Sequence, residues 1–153
     1  MAAPNHLSIR LAIEELNAAF AYHLDHNHVE PLVDLFTATA VYSHGERRTE
    51  GREALRALFI ARTAAGVRTT RHLYSGLRID IHDGRSALGQ SVWMAFAANQ
   101  APPVGFCTPH LVADFIDRYV LGTDGRWRIE QRDIQRIFAA GAEGHNPAAT
   151  AGR

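Results

Sequence analysis

The sequence predicts an α+β domain in which helices cover one face of a strongly curved, mostly antiparallel sheet. Three observations carry this. Helical periodicities occupy the chain before Gly66, long strand patterns occupy it after Thr69, and Asp-Gly pairs at 83–84 and 124–125 set tight hairpin turns between those strands. Helices segregated ahead of strands give α+β, whereas regular alternation would give a parallel sheet.

The first helix starts at Ser8, a suitable N-cap, and carries Ile9, Ile13, Leu16 and Phe20 on one side as far as His23–Asp25. Asn27 breaks it. A shorter helix follows, with Pro31 in its first turn and Leu32, Leu35 and Phe36 as its apolar side. Ala40–His44 reads as a short strand. Gly51 opens a third helix with Leu55, Leu58 and Phe59 as the buried stripe, and Gly66 ends it. Leu77, Ile79 and Ile81 alternate before the first Asp-Gly turn. Three strands follow, at Ser86–Ala98, His110–Leu121 and Trp127–Phe138, with Pro102 and Pro103 marking a loop between the first two.

At 153 residues the chain is expected to form one domain, residues 1–138, that buries a core without staples. The Ala- and Gly-rich remainder, 139–153, is expected to be a disordered tail or a flap over a pocket. Sixteen basic residues balance sixteen acidic ones, so no broad basic face for nucleic acid is expected. The single Cys107 excludes an internal disulfide. A basic start followed by a long apolar run is lacking at Met1–Ser8, so no secretory signal is expected; no stretch of the sequence approaches the length of a membrane span, and a cytoplasmic location is expected.

Four segments, "YHLDHNHVEPLVDLF", "EGREALRALF", "TTRHLYSGLRIDI" and "DGRWRIEQRDI", stand in an order and spacing that resemble the NTF2-like superfamily, in particular its SnoaL-like branch. The resemblance runs from about Leu7 to Phe138 and implies a cone of helices on a bent sheet. Within the branch the sequence is most similar to scytalone dehydratase, bacterial bile-acid dehydratase and hexachlorocyclohexane dehydrochlorinase. These share an aspartate at the end of the first long helix and a histidine in a T-x-H segment, which here are Asp25 and His72. The resemblance implies a dyad whose histidine removes a proton while a leaving group departs. It also implies a role for Arg132, which matches an arginine of the dehydrochlorinase. The chain departs from the pattern in three places: His44 stands where scytalone dehydratase has a tyrosine, Thr39 replaces a common aspartate, and no second pocket histidine falls near Gln90.

The residues themselves support such chemistry. Histidine is the side chain whose ordinary pKa lies nearest neutrality, and an aspartate accepting one ring N–H fixes its tautomer. The ordinary alternatives are a structural histidine at a strand start and a solvated aspartate at a helix end. Strict alternation would set His72 on the face opposite Leu77, Ile79 and Ile81; a bulge at Ser75-Gly76 would restore it. Arg132 is read as an electrostatic helper, with an ion pair to Glu130 or Asp117 as its alternative. Tyr22 and His44 join the aromatics Tyr42, Trp93, Phe115 and Tyr119 as candidate walls of an apolar cavity for a small cyclic ligand, with core packing as the alternative for the aromatics. His23, His26 and His28 crowd one turn without a convergent acid or cysteine, so no metal is expected. No phosphate loop or nucleophile elbow is present, and no cofactor is expected.

Three functions compete. The first is a cofactor-free lyase acting on a small hydrophobic molecule through Asp25 and His72. The second is a SnoaL-like polyketide cyclase or ketosteroid-type isomerase resting on an acid alone. The third is a non-catalytic subunit resembling the small subunit of ring-hydroxylating dioxygenases. A homodimer or homotrimer is expected, formed through an outer sheet face carrying Val112, Ile116, Trp127 and Ile129.

Overall fold

A computed structural model describes residues 5–105 and 107–140. Helix α1 runs His6–Asp25, α2 Val29–Asp34 and α3 Arg52–Ala64. The strands are β1 Phe36–His44, β2 Arg47–Glu50, β3 Thr69–Ile81, β4 Ser86–Ala98, β5 Leu111–Leu121 and β6 Trp127–Ala139. They form one curved, unclosed sheet in the order β2-β1-β6-β5-β4-β3. The predicted α+β class therefore stands. The proposed tail lies almost entirely outside the described residues. Among those described, no helix is long and apolar enough to cross a membrane.

Helix α1 begins earlier than Ser8. The Asn5 side chain accepts the Ser8 backbone N–H at 2.8 Å, so the cap lies one turn upstream and Ser8 belongs to the first turn. Strand β1 starts four residues before Ala40, because Phe36, fully buried, is already paired opposite Ile129. Strand β2 has no apolar alternation to announce it; it is a polar edge strand paired with β1. The pairing of β1 with β6 is parallel, and all other pairings are antiparallel.

Ile9, Ile13, Leu16, Phe20 and Leu24 lay α1 along the inner face of the sheet. Phe20 meets Trp93 edge-on at 5.7 Å, and Trp93 is stacked between Phe115 at 4.5 Å and Tyr74 at 4.8 Å. Such aromatic pairs add about 0.5–1.5 kcal/mol each beyond their buried area. Trp127 packs partly buried against this core and Ile129 is wholly buried in it, so neither belongs to the outer face, contrary to expectation. That face carries Leu73 of β3 and Leu88, Val92 and Met94 of β4, all exposed, beside the expected Val112 and Ile116, which pair with Met94 and Gln90; β4 alternates strictly and its odd-numbered residues point inward.

The alternation of β3 changes phase once. Thr70, His72 and Tyr74 turn inward, and so do Leu77, Ile79 and Ile81. Between them the register with β4 slips by one residue, from Ser75 opposite Val92 to Arg78 opposite Gln90. Gly76 takes up the extra residue at φ 65°, a left-handed conformation that glycine adopts without strain.

Glycine is required a second time at Gly89. A Cβ there would stand 2.7 Å from Cε2 of the fully buried Tyr119. Tyr119 cannot swing aside, because its hydroxyl is bonded to Asp117 and Asn17. Gly89→Ala is expected to destabilise the fold by about 1–3 kcal/mol, the usual range for overpacking. Urea unfolding at unchanged m-value checks this, and a wild-type midpoint would refute it.

Candidate active site

At one end of the sheet the inner face opens into a cavity of about 390 Å³. Its walls come from the ends of several elements: Leu24 of α1, the α3 residues Leu58, Phe59 and Arg62, His44 at the end of β1, and the start of β3. Placing strand ends around a gap lets many side chains converge without any of them leaving its ladder.

Asp25 is the last residue of α1, where the helix dipole disfavours a negative charge. Hydrogen bonds compensate. Thr70 donates its hydroxyl to Oδ1 at 2.8 Å, the His72 backbone N–H reaches Oδ2 at 2.8 Å, and His72 Nδ1 lies 2.6 Å from Oδ1. The two side chains are 5% and 15% exposed, respectively. Burial alone would push the Asp25 carboxyl up. The bonds from the His72 ring and backbone, and from Thr70, outweigh it and hold the carboxyl below its ordinary 3.8. A carboxylate can only accept, so in the neutral imidazole the proton sits on Nδ1 and Nε2 keeps its lone pair. His72 lines the cavity, and it does so because the Gly76 bulge puts it on the inner face.

Behind this pair stands an arginine that sequence reasoning missed. Arg62 donates to Thr70 Oγ1 at 3.2 Å, to the Leu24 carbonyl at 3.1 Å and to Asn27 Oδ1 at 3.0 Å. Its Nη2 thus joins a chain that runs through Thr70 to Asp25. Nothing in the helical pattern of α3 distinguishes Arg62 from a solvated residue; only its place facing the end of α1 does.

The other sequence candidates divide. Tyr42 and His44 line the cavity, whereas Tyr22, Trp93, Phe115, Tyr119 and Arg132 do not. Tyr22 is 54% exposed and stacks on His26 at 4.3 Å, on the outer side of α1. Trp93 and Phe115 are core, filled in by Phe20 and Tyr74. Burial pushes the Tyr42 hydroxyl up to about 12, so it keeps its proton and can donate. Burial also pushes His44 down, reinforced by Arg136, Arg47 and His110, which favours its neutral form. The turn histidines His23, His26 and His28 pack against one another outside the cavity. Among the described residues no group of three His, Cys, Asp or Glu side chains is placed to hold a metal ion.

Arg132 is wholly buried beneath the aromatic core. Its guanidinium grips both oxygens of Asp117 at 2.9 and 2.8 Å, donates to Asn17 Oδ1 at 2.5 Å and lies 4.3 Å above the Phe20 ring. The predicted alternative for Arg132, an ion pair with Asp117, is the geometry found, but inside the protein and not on its surface. Its charge is matched there and it does not line the cavity, although it is the cross-strand neighbour of the cavity residue Tyr42.

Comparison with known proteins agrees with this architecture. Residues 5–133 match the family model described as a SnoaL-like domain. The chain belongs to the SnoaL-like family. Among solved structures, this SnoaL-like domain is similar to a protein of Novosphingobium aromaticivorans provisionally assigned as a scytalone dehydratase, with 26% identity, TM-score 0.76 and 86% of each chain covered. It is similar to a Mycobacterium tuberculosis protein of unknown function, solved as an aspartate-to-asparagine variant, with 25% identity, TM-score 0.74 and 91% and 87% of the two chains covered. A Nostoc punctiforme protein with a cystatin-like fold shares the fold at 23% identity and TM-score 0.73, over 88% of this chain and 95% of its own. No curated protein matches the sequence significantly.

Proposed function

We propose that this SnoaL-like domain is a cofactor-free lyase, a dehydratase or a related eliminating enzyme, acting on a small cyclic hydrophobic molecule. The observation that carries this reading is the 2.6 Å contact between His72 Nδ1 and an Asp25 carboxylate that is itself fixed by Thr70 and the His72 backbone. That arrangement leaves Nε2 as the nitrogen able to take a proton. The similarity to the Novosphingobium protein supports the same reading.

In this mechanism Nε2 of His72 removes a proton from a substrate carbon. The electrons of the broken C–H bond form the new C=C bond, and the leaving group departs with its bonding pair. The imidazolium so formed faces Asp25, whose carboxylate stabilises it where water is scarce. When the leaving group is hydroxide, the imidazolium returns its proton and water is released. Tyr42, protonated throughout the neutral range, donates a hydrogen bond to a substrate oxygen. Leu58, Phe59 and Phe96 supply the apolar wall for a ring. The test is turnover of candidate hydroxy substrates, followed by the unsaturated product, in wild type and His72→Ala. A cyclase or isomerase resting on an acid alone would keep its rate in that variant, and a scaffold subunit would show no turnover in either.

We further propose self-association through the outer sheet face. Leu73 and Met94 are cross-strand partners there, with Val92 one pleat away, and large contiguous apolar patches are uncommon on monomers. Sedimentation at micromolar concentration is expected to show a dimer or trimer; a lone 16.9 kDa species would refute it.

A further inference from the structure

We propose that the substrate taken by this cavity carries a carboxylate, held by the arginines that ring the cavity and not by the Asp25–His72 pair. The proposal rests on the reading of this cavity as the substrate site. Arg47, Arg62, Arg68 and Arg136 line it together with His44, His72 and His110, and no aspartate or glutamate is among the described lining residues. The chain as a whole has as many acids as bases, so this is local segregation of charge and not a general basic character.

Outside the cavity seven arginines have a carboxylate partner, whereas Arg52, Arg71, Arg78 and Arg85 are spread singly over the surface of the fold. Arg48 meets Glu50, Arg56 meets Glu30, Arg118 meets Glu130, Arg126 meets Asp34 and Arg128 meets Asp124. Among the described residues, no carboxylate lies within ion-pair distance of any of the four cavity arginines. At Arg62 burial and then Arg68 push the guanidinium down, with the nearby Asp25 opposing them. Like charges gathered around a recess with apolar walls focus potential into it, and an anion relieves them.

A second observation is independent of the arginines. Nε2 of His44 is buried and has no hydrogen-bond partner among the described residues, although His44 lines the cavity. Buried polar atoms without partners are uncommon, and a ligand oxygen would satisfy this one. A carboxylate fits better than a phosphate. Its planar fork matches a guanidinium in two parallel hydrogen bonds, and the apolar wall beside the arginines suits the ring that bears it. The two helices that reach the cavity present Leu24 and Arg62, from their C-terminal halves, whereas phosphates favour helix N-termini.

Isothermal titration of the full chain with 2-naphthoate, its neutral analogue 2-naphthamide and inorganic phosphate tests this. At low ionic strength 2-naphthoate is expected to bind roughly tenfold or more tightly than 2-naphthamide, and high salt should shrink the difference. Arg47 and Arg136 are exposed, so the double variant Arg47→Gln/Arg136→Gln should fold normally. It should lose most of the naphthoate advantage while binding naphthamide as before. Equal affinities, an advantage that survives the double variant, phosphate bound more tightly than naphthoate, or no saturable binding of naphthoate would each overturn the proposal. His72→Ala separates the two readings. Retained turnover in that variant with intact naphthoate discrimination removes the lyase and leaves the anion site. Lost turnover without discrimination does the reverse.

Discussion

Turnover should fall by roughly 10² to 10⁴ when His72 is replaced by alanine, the contribution usual for a positioned proton-transfer group. The fold should survive, because the His72 backbone N–H still donates to Asp25 Oδ2 and the strand pairing with Ala95 does not depend on the ring. Asp25→Asn should be nearly as damaging by a different route. Its amide can still accept the Thr70 hydroxyl or the His72 backbone N–H, but it removes the charge that stabilises the imidazolium and offers the ring a donor, which reverses the tautomer. Steady-state rates with thermal unfolding alongside will separate loss of chemistry from loss of structure. A near-normal rate for His72→Ala would remove the elimination mechanism. The Asp25 carboxyl sits below its ordinary 3.8, so its stabilisation is fully present above that value and is lost as pH falls through the lower folded value; assays near neutrality are free of this effect.

Arg132→Met should destabilise the protein by about 3–5 kcal/mol, the cost of leaving a buried charge without its partner. Arg132 and Asp117 are both wholly buried in side chain, and Asp117 also receives the Tyr119 hydroxyl at 2.6 Å. Removing the guanidinium strands that carboxylate under the aromatic stack. Arg132→Met combined with Asp117→Leu should recover part of the loss, since neither charge then remains to be desolvated. Chemical denaturation of both variants measures the difference. A double variant no more stable than Arg132→Met would mean that packing over Phe20, and not charge pairing, holds this region together.

These two residues also show what was legible in the sequence. Asp25 and His72 are singled out by the resemblance, through a helix end and a T-x-H segment; the residues alone leave a solvated aspartate and a structural histidine equally open, and only the fold shows that the two meet. Gly76 announced the bulge, since glycine within a strand has few other uses. For Arg132 the sequence leaves an electrostatic helper and an ion pair with Asp117 side by side; the pair is found, but its depth beneath the sheet has no one-dimensional signature. The parallel pairing of β1 with β6 escaped for the same reason: it joins segments more than eighty residues apart. Strand β2 escaped because it buries almost nothing. The cavity arginines looked like ordinary surface residues; only the fold collects Arg47, Arg62, Arg68 and Arg136 around one opening.

The bulge at Gly76 makes the site sensitive to chain length in a way it is not sensitive to side-chain identity. Strand parity is a counting rule, and β3 obeys it only if one uncounted residue separates its two halves. Loss of that single residue would force a choice. Either Leu77, Ile79 and Ile81 keep the core, and Arg71 and Leu73 turn inward while Thr70 and His72 face solvent, or the Thr70–Tyr74 half keeps its place and the apolar half is expelled. A one-codon deletion here would therefore dismantle the pocket more thoroughly than any substitution within it. Relatives that share this site should tolerate change at the outward positions Leu73, Ser75 and Arg78 yet hold the length of the segment constant.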